Sequence, residues 1–367
     1  MGNVLGLNFG QQFSVLIAEK RCLLCCNKHC TGCAASVIFV NQLWYSMPNQ
    51  LHRVLILAGG ESEEKSISQS GGRAVFQAVE CLPDWEAKLV DPAVQRWRHI
   101  DCDIVFPVLH GSDGEDGCLQ KQLEQTERPF VGSTSTACEL TFDKAKCSSF
   151  LKQRSVRCPV ECSVSGDSSE AEEQWRQCFA ELRARVPDVR QWVVKPNQQG
   201  SSVGISVVDE RASDFGNQLF AAIRTALSFD DSCLIQQYVE GREITVALLD
   251  GEVLTPIEIC LPSGFYDFHA KYESEQTKYQ IVRDEEATKC GELAQQINTL
   301  CGTAGLVRID FRVDLKGQPW FLEVNTIPGM TERSLVPKSA ADRGWTMSDL
   351  CQKALGNAMA SFSSCSK

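Results

Sequence analysis

Residues 305–329 read GLVRIDFRVDLKGQPWFLEVNTIPG. Apolar and polar residues alternate in two runs, Gly305 to Asp314 and Pro319 to Asn325, on either side of Lys316-Gly317. That is the pattern of two antiparallel strands with one buried face. With Lys316-Gly317 as a two-residue turn, Leu315 opposes Gln318, and the register sets Asp310 opposite Glu323 and Arg308 opposite Asn325. Ile309 then meets Val324, and Phe311 meets Leu322, on the core face. Residues two apart on a strand share a face, so Arg308, Asp310, Glu323 and Asn325 make one polar patch. Two facing carboxylates repel. A divalent cation removes the repulsion, and the hard oxygens of Asp, Glu and Asn suit magnesium. An exposed sheet face neutralised by Arg308 is the competing reading. Asn325 leads into Thr326-Ile327-Pro328-Gly329, a loop placed to hold a substrate over the patch.

Outward from the hairpin, the chain offers a second candidate at Asn197 to Gly204. This Gly- and Ser-rich loop lies between predicted strands Trp192 to Pro196 and Val203 to Val208, with Lys195 at its entrance. Backbone N–H groups in such a loop can face phosphate oxygens. No Gly-Lys-Ser/Thr closes it, so it is not a Walker A loop, and an ordinary flexible hairpin fits equally well. Cys233 to Val239 is apolar, Ile244 to Ile259 reads as a hairpin turned at Asp250-Gly251, and Glu285 to Cys301 as a helix. Residues 139–190 read as mainly helical and polar, interrupted at Ser163 to Ser169, and a helical tail starts near Ser348.

Nearer the N-terminus, Val54 to Ala58 is an apolar run ending in Gly59-Gly60, followed by a helical pattern from Ser66 to Glu80. Asp103 to Leu109 is another apolar run, ending at His110-Gly111, and Arg128 to Val131 a further strand. Strands alternating with helices predict a parallel sheet covered by helices, with ligands bound at the carboxyl ends of its strands. Glu61, Glu63 and Glu64 beside Gly59-Gly60 suit a ligand ammonium or a helix dipole. His110 is the best placed histidine, although a lone His is often structural. Phe265-Tyr266-Asp267 and Lys271-Tyr272 suggest a mobile flap, against the plainer reading of a surface loop.

Composition limits the function class. The 367 residues are 43% hydrophobic and 23% charged, with net charge −11, as expected of a globular chain that binds neither nucleic acid nor anionic membrane. No run of about 18 apolar residues occurs, no signal-peptide pattern is present, and Gly6 stands where a myristoylation motif needs Ser or Thr. Nineteen cysteines, an odd number spread over a long chain, argue for buried thiols in a reducing cytoplasm rather than a disulfide scaffold. Residues 1–50 look foreign to the rest. Cys22, Cys25, Cys26, His29, Cys30 and Cys33 offer zinc ligands, but they are more crowded than a structural zinc site usually is. A dispensable extension, with an alternative start at Met47, is the plainer reading.

From Arg53 to Leu355 the motifs together resemble the D-alanine–D-alanine ligases of the ATP-grasp superfamily. The resemblance rests on Leu-His-Gly at 109–111, Gly-Glu-Asp-Gly at 114–117, Asp143-Lys144, Lys-Pro at 195–196 and Gly-Ser-Ser-Val-Gly at 200–204. It continues through Phe-Tyr-Asp at 265–267, Ala-Lys-Tyr at 270–272, Arg-Ile-Asp at 308–310 and Glu-Val-Asn-Thr-Ile-Pro-Gly-Met-Thr at 323–331. It implies an α/β chain with an ATP-grasp fold preceded by a small, Rossmann-like parallel-sheet domain. The expected divisions are a Cys-rich extension (1–50), a substrate domain (51–134), a central subdomain (135–232) and a C-terminal subdomain (233–367).

The implied reaction is ATP-dependent joining of two D-alanines through a D-alanyl phosphate, for peptidoglycan precursors. By the same resemblance, Asp310 and Glu323 hold one Mg2+ or Mn2+, and Glu323 and Asn325 a second. Lys144, Lys195 and Lys271 contact phosphates, and Ser202 lies in the loop over them. Gln236, Tyr238, Val239 and Glu243 receive adenosine. Glu64 binds the first D-alanine and links to Ser201 and Tyr272, with His110 beside it. Arg308 and the backbone of Gly329 stabilise the acyl phosphate and oxyanion. Ser334 and Leu335 hold the second D-alanine. A cytoplasmic homodimer is implied.

Three departures stand out. Gln236 replaces a common glutamate and is expected to reverse part of the hydrogen-bond pattern offered to an adenine amino group. Glu332-Arg333 replaces a small residue and a His, and Ser66 an acidic residue. Lys271-Tyr272 favours an amine nucleophile. A different acceptor, D-lactate or D-serine, and an inactive nucleotide-binding scaffold are the alternatives.

Overall fold

In the computed structural model, β1 (His52–Leu57) is the central strand of a three-stranded parallel sheet. It lies between β2 (Trp85–Val90) and β3 (Ile104–Pro107). The structure describes residues 51–166, 168–200, 203–260 and 277–365. The unbroken apolar run of β1 is explained by burial on both faces. Val54 and Ile56 pack with Val75 and Val79 of α1 (Lys65–Glu80) and Leu350 and Leu355 of α9 (Met347–Cys365). Leu55 and Leu57 pack on the other side with Trp97 and with Leu119 and Leu123 of α2 (Cys118–Glu124). β2 was not legible as a strand, because its burial alternates and its sequence, WEAKLV, is interrupted by Glu86 and Lys88.

The next region begins with α3 (Ser135–Phe142) and α4 (Lys144–Lys152), capped by Thr134 and Asp143. Residues 139–190 are mainly helical, as expected, but a strand interrupts them. This strand, β4 (Glu161–Ser165), overlaps the start of the Ser-rich stretch, whose last serines open α5 (Ser168–Arg185). β4 edges an antiparallel sheet whose other strands are β5 (Gln191–Pro196), β6 (Ser206–Asp209) and β7 (Ser232–Gln237), in the order β4-β7-β5-β6. One face buries Trp192, Val194 and Ile235 against α5 and α6 (Phe215–Leu227). The other carries Glu161, Val193, Lys195 and Gln236, with Glu161 directly opposite Gln236 and Val193 opposite Gln236 on its other side. A disulfide joins Cys162 to Cys178, which the reading of the cysteines as thiols did not anticipate. Of the eleven free cysteines described, eight are buried, as expected of small core residues.

The third sheet contains β8 (Gly241–Leu249), β9 (Glu252–Val253), β10 (Ile257–Cys260), β11 (Lys278–Ile281), β12 (Leu306–Asp314) and β13 (Pro319–Asn325). Its main path runs β11-β10-β8-β12-β13. Ile309, Phe311 and Phe321 pack on α7 (Glu285–Cys301) and on Cys147 and Leu151 of α4. The chain then closes through α8 (Leu335–Asp342) and α9.

The β12–β13 turn corrects the expected register near the tip. Asp314 N donates to Gln318 O at 3.0 Å, so three residues, Leu315 to Gly317, make the turn. Gly317 takes the left-handed conformation, φ +70°, that closes it. Asp314 clamps it, accepting from Lys316 N, Gln318 N and Trp320 Nε1 at 2.9 Å each. Phe311 therefore pairs with Phe321, not Leu322. A β-bulge after Asp310 then shifts the ladder back by one residue. The two slips cancel, so Asp310 does face Glu323 and Arg308 does face Asn325. The extra residue, Leu322, lines the same cleft as Glu323.

Candidate active site

The polar patch of β12 and β13 lies where the second and third sheets face each other. Asp310 and Arg308 are only 8% and 6% exposed. Arg308 Nε and Nη2 donate to the Asp310 carboxylate at 3.0 and 2.9 Å, and Thr245 Oγ1 donates to Asp310 Oδ1 at 2.5 Å. Lys144, at the start of α4, places Nζ 3.6 Å from Glu323 Oε2 and donates to Gln199 O at 2.6 Å. Lys195 reaches the patch from β5. Burial pushes its ammonium below the usual lysine range, and Glu323 opposes that shift. Asn325 Oδ1 is buried and accepts no hydrogen bond among the described residues. An orphaned buried oxygen beside two carboxylates is a donor set that suits a hard cation. No cluster of three His, Cys, Asp or Glu side chains with metal-binding geometry occurs among the described residues, and this set combines two carboxylates with the amide oxygen.

A cleft between β5 and β7 on one side and β12 and β13 on the other holds Lys195, Gln236, Tyr238, Val239, Glu243, Arg308, Asp310 and Glu323. Burial is the main reason that the Glu243 carboxyl is pushed up to about 7, with Arg312 pulling the other way. A second cavity holds Arg308, Gly329, Ser334 and Leu335 against Ser66, Ile67 and Ser70 of α1. Arg308 lines both. Ser334 precedes α8, and its Oγ accepts from Thr331 N at 3.1 Å. A Cβ on Gly329 would lie 2.8 Å from that Oγ, so the loop needs glycine there.

Of the three carboxylates near Gly59-Gly60, only Glu64 is buried; Glu61 and Glu63 face solvent. Glu64 lies beside Gly111 and Gly200. His110 is also buried, and its carbonyl accepts from Ser62 Oγ at 2.8 Å. Ser201, Ser202, Lys271, Tyr272 and the Cys22 to Cys33 cluster lie outside the described residues.

Two family models cover much of the chain. One, described as D-ala D-ala ligase N-terminus, matches residues 82–133, and D-ala D-ala ligase C-terminus matches 164–355. A D-alanine--D-alanine ligase from Synechococcus sp. (strain JA-3-3Ab) is 36% identical over 316 residues, 83% of this chain and 93% of its own length. The chain belongs to the D-alanine–D-alanine ligase family. A Bacillus anthracis D-alanine--D-alanine ligase complexed with ATP matches with TM-score 0.71 and 25% identity, over 86% of this chain and 99% of that one. The VanG D-Ala:D-Ser ligase from Enterococcus faecalis matches with TM-score 0.71 at 24% identity, over 84% and 100%. That last likeness concerns fold alone.

Three further residues organise this D-alanine–D-alanine ligase family site, and the motif reading assigned them no role. Arg312 donates to Val239 O (3.0 Å), Gly241 O (2.7 Å), Tyr238 Oη (3.2 Å) and Glu243 Oε2 (3.3 Å). It continues the alternation Arg308, Asp310, Arg312, which was the available signal. Glu115, inside the quoted Gly-Glu-Asp-Gly run, accepts from Gly111 N at 3.1 Å and Ile327 N at 3.3 Å. It thereby ties the His110 loop to the Gly329 loop. Asn197 donates to Asp143 Oδ1 at 3.0 Å and accepts from Ala145 N at 2.9 Å, joining the glycine-rich loop to the start of α4.

Gln236 is held from one side. Its Nε2 donates to Glu161 Oε2 at 2.7 Å, which ties one of the two N–H groups of the amide to β4.

Proposed function

We propose that the cleft lined by Gln236 and Glu243 receives ATP and the cavity lined by Ser334 receives the acceptor D-alanine, with reaction at their shared wall, Arg308. The reaction of the chain is the ATP-dependent ligation of two D-alanines to D-alanyl-D-alanine, a step of peptidoglycan synthesis. The observation that carries the site assignment is that one buried guanidinium, Arg308, lines both cavities.

Glu64 holds the ammonium of the first D-alanine, with His110 beside it. The carboxylate of that D-alanine attacks the γ-phosphate, giving D-alanyl phosphate, and ADP leaves. The amine of the second D-alanine, after losing a proton, attacks the acyl carbon, and phosphate leaves. This chemistry depends on positioning and charge neutralisation more than on covalent help from the protein. Lys144, Lys195 and Lys271 bring positive charge to the phosphates, and Ser202 of the glycine-rich loop offers them a hydroxyl. Arg308 and the Gly329 backbone face the developing oxyanion. Ser334 takes the acceptor carboxylate and Leu335 packs on its methyl group. Ser201 and Tyr272 close the site with Glu64. Asp310, Glu323 and Asn325 would hold two Mg2+ or Mn2+ ions, which when bound neutralise phosphate charge.

The reading extends to a cytoplasmic homodimer. Its regions are 51–134, 135–232 and 233–367 after the 1–50 extension. No helix of the described residues is long and apolar enough to cross a membrane. Neither D-lactate nor D-serine as acceptor, nor an inactive scaffold, is favoured. The deciding experiment measures phosphate release from MgATP with and without D-alanine and identifies the product by mass. Release that depends on D-alanine and yields the dipeptide supports the reading. Nucleotide binding without release refutes it.

A further inference from the structure

Gln236 and Glu161 stand directly opposite each other on β7 and β4, on the sheet face that looks into the nucleotide cleft. Gln236 is 4% exposed, and its side chain donates from Nε2 to Glu161 Oε2 at 2.7 Å. Glu161 is itself held: its Oε1 accepts from Ser148 Oγ and from Lys152 Nζ, the latter at 2.9 Å. A carboxylate has only acceptors, whereas an amide has a carbonyl acceptor on one branch and an NH2 with two donors on the other. The Gln236 nitrogen therefore faces Glu161 through one N–H, and the oxygen branch is left for the cleft.

On the reading of this cleft as the nucleotide site, we propose that Glu161 is a positioning residue for base specificity. Touching no substrate, it fixes the Gln236 amide so that Oε1 accepts from a 6-amino purine. A 6-oxo purine would bring a second acceptor against Oε1, leaving two buried acceptors without a donor. The replacement of a glutamate by Gln236 thus preserves an acceptor, because Glu161 draws the amide nitrogen to its own side through one N–H.

The test compares ADP with IDP, its 6-oxo counterpart, by calorimetric binding to the full chain without D-alanine, and ATP with ITP in D-alanine-dependent turnover. Wild type should favour the 6-amino nucleotide by roughly 10- to 100-fold in both. Glu161→Gln lets the amide pair adopt either orientation, and the preference should shrink about tenfold, mainly through better binding of IDP. The exchanged double variant, Glu161→Gln with Gln236→Glu, restores an acceptor-only group at position 236 and should restore the preference. A merely structural role for Glu161 would not be rescued by that exchange. Equal binding of ADP and IDP by wild type overturns the proposal, as does an unchanged ratio in folded Glu161→Gln. Discrimination in binding without D-alanine-dependent turnover supports the relay while refuting the assigned reaction. Failure to bind either nucleotide overturns both.

Discussion

Glu64 Oε1 lies so close to Gly200 that a Cβ on Gly200 would sit 2.3 Å from it. A carboxylate entering from the first sheet and a glycine of the loop after β5 therefore occupy neighbouring space. No side chain fits between them. The glycine-rich loop accordingly packs on Glu64, the residue proposed for the first substrate, besides its proposed role over phosphates.

Gly200→Ala should displace Glu64 or lift the loop. A displacement near 1 Å at a reacting centre costs on the order of 100-fold in rate. We expect kcat/KM for D-alanine to fall by about that factor, with the thermal midpoint nearly unchanged because the position is at the cleft. Near-normal turnover would show that the contact is relaxed in the working enzyme.

Glu323→Gln keeps shape but removes a charge from both proposed cation sites and from the partner of Lys144. Turnover should be lost, by at least about 1,000-fold, while circular dichroism stays that of wild type. Retained activity would sink the assignment of Glu323 as a metal ligand.

Arg312→Met removes the donor that holds Val239 O, Gly241 O and Glu243 together. The KM for ATP should rise roughly tenfold or more, since hydrogen bonds to a charged group are worth about 1.5–3 kcal/mol each. The KM for D-alanine should change far less. Equal effects on the two substrates would argue for general loss of structure.

The Glu115 carboxyl is pushed up to about 7, chiefly by burial and then by Glu64, against the Gly111 and Ile327 N–H groups. The sign follows from proton uptake. Between about pH 4.5 and 7 the folded chain binds this proton and the unfolded chain does not, so stability falls as pH rises across that window. The loss amounts to at most roughly 3 kcal/mol for this group. Denaturant titrations of the nucleotide-free protein at pH 5.5 and 8 should show the decline, and Glu115→Gln should flatten it. An equal slope in the variant would assign the effect elsewhere.

Much of the site was legible because short-range rules place it. Strand periodicity put Arg308, Asp310, Glu323 and Asn325 on one face, the quoted motifs picked out His110, Lys144 and Lys195, and the acidic segment after Gly59-Gly60 offered Glu64. The same periodicity extended to Arg312, where the reading stopped too early. β4 was missed because its polar edge-strand sequence, ECSVS, carries only one fully buried side chain and so leaves a weak pattern.

The sequence by itself determined the two-strand hairpin, the helix-covered parallel sheet and the family of the chain, because local periodicity and motif spacing are properties of neighbours along the chain. It also predicted the correct facing of Asp310 and Glu323, although from a turn that is one residue too short. Only the tertiary structure showed why the pairing survives: the bulge after Asp310 cancels the longer turn. Only it could bring Glu161 to Gln236, 75 residues apart, or Glu115 to Ile327, 212 apart. Those contacts depend on how separate sheets and loops pack, and no local pattern encodes the distance between them.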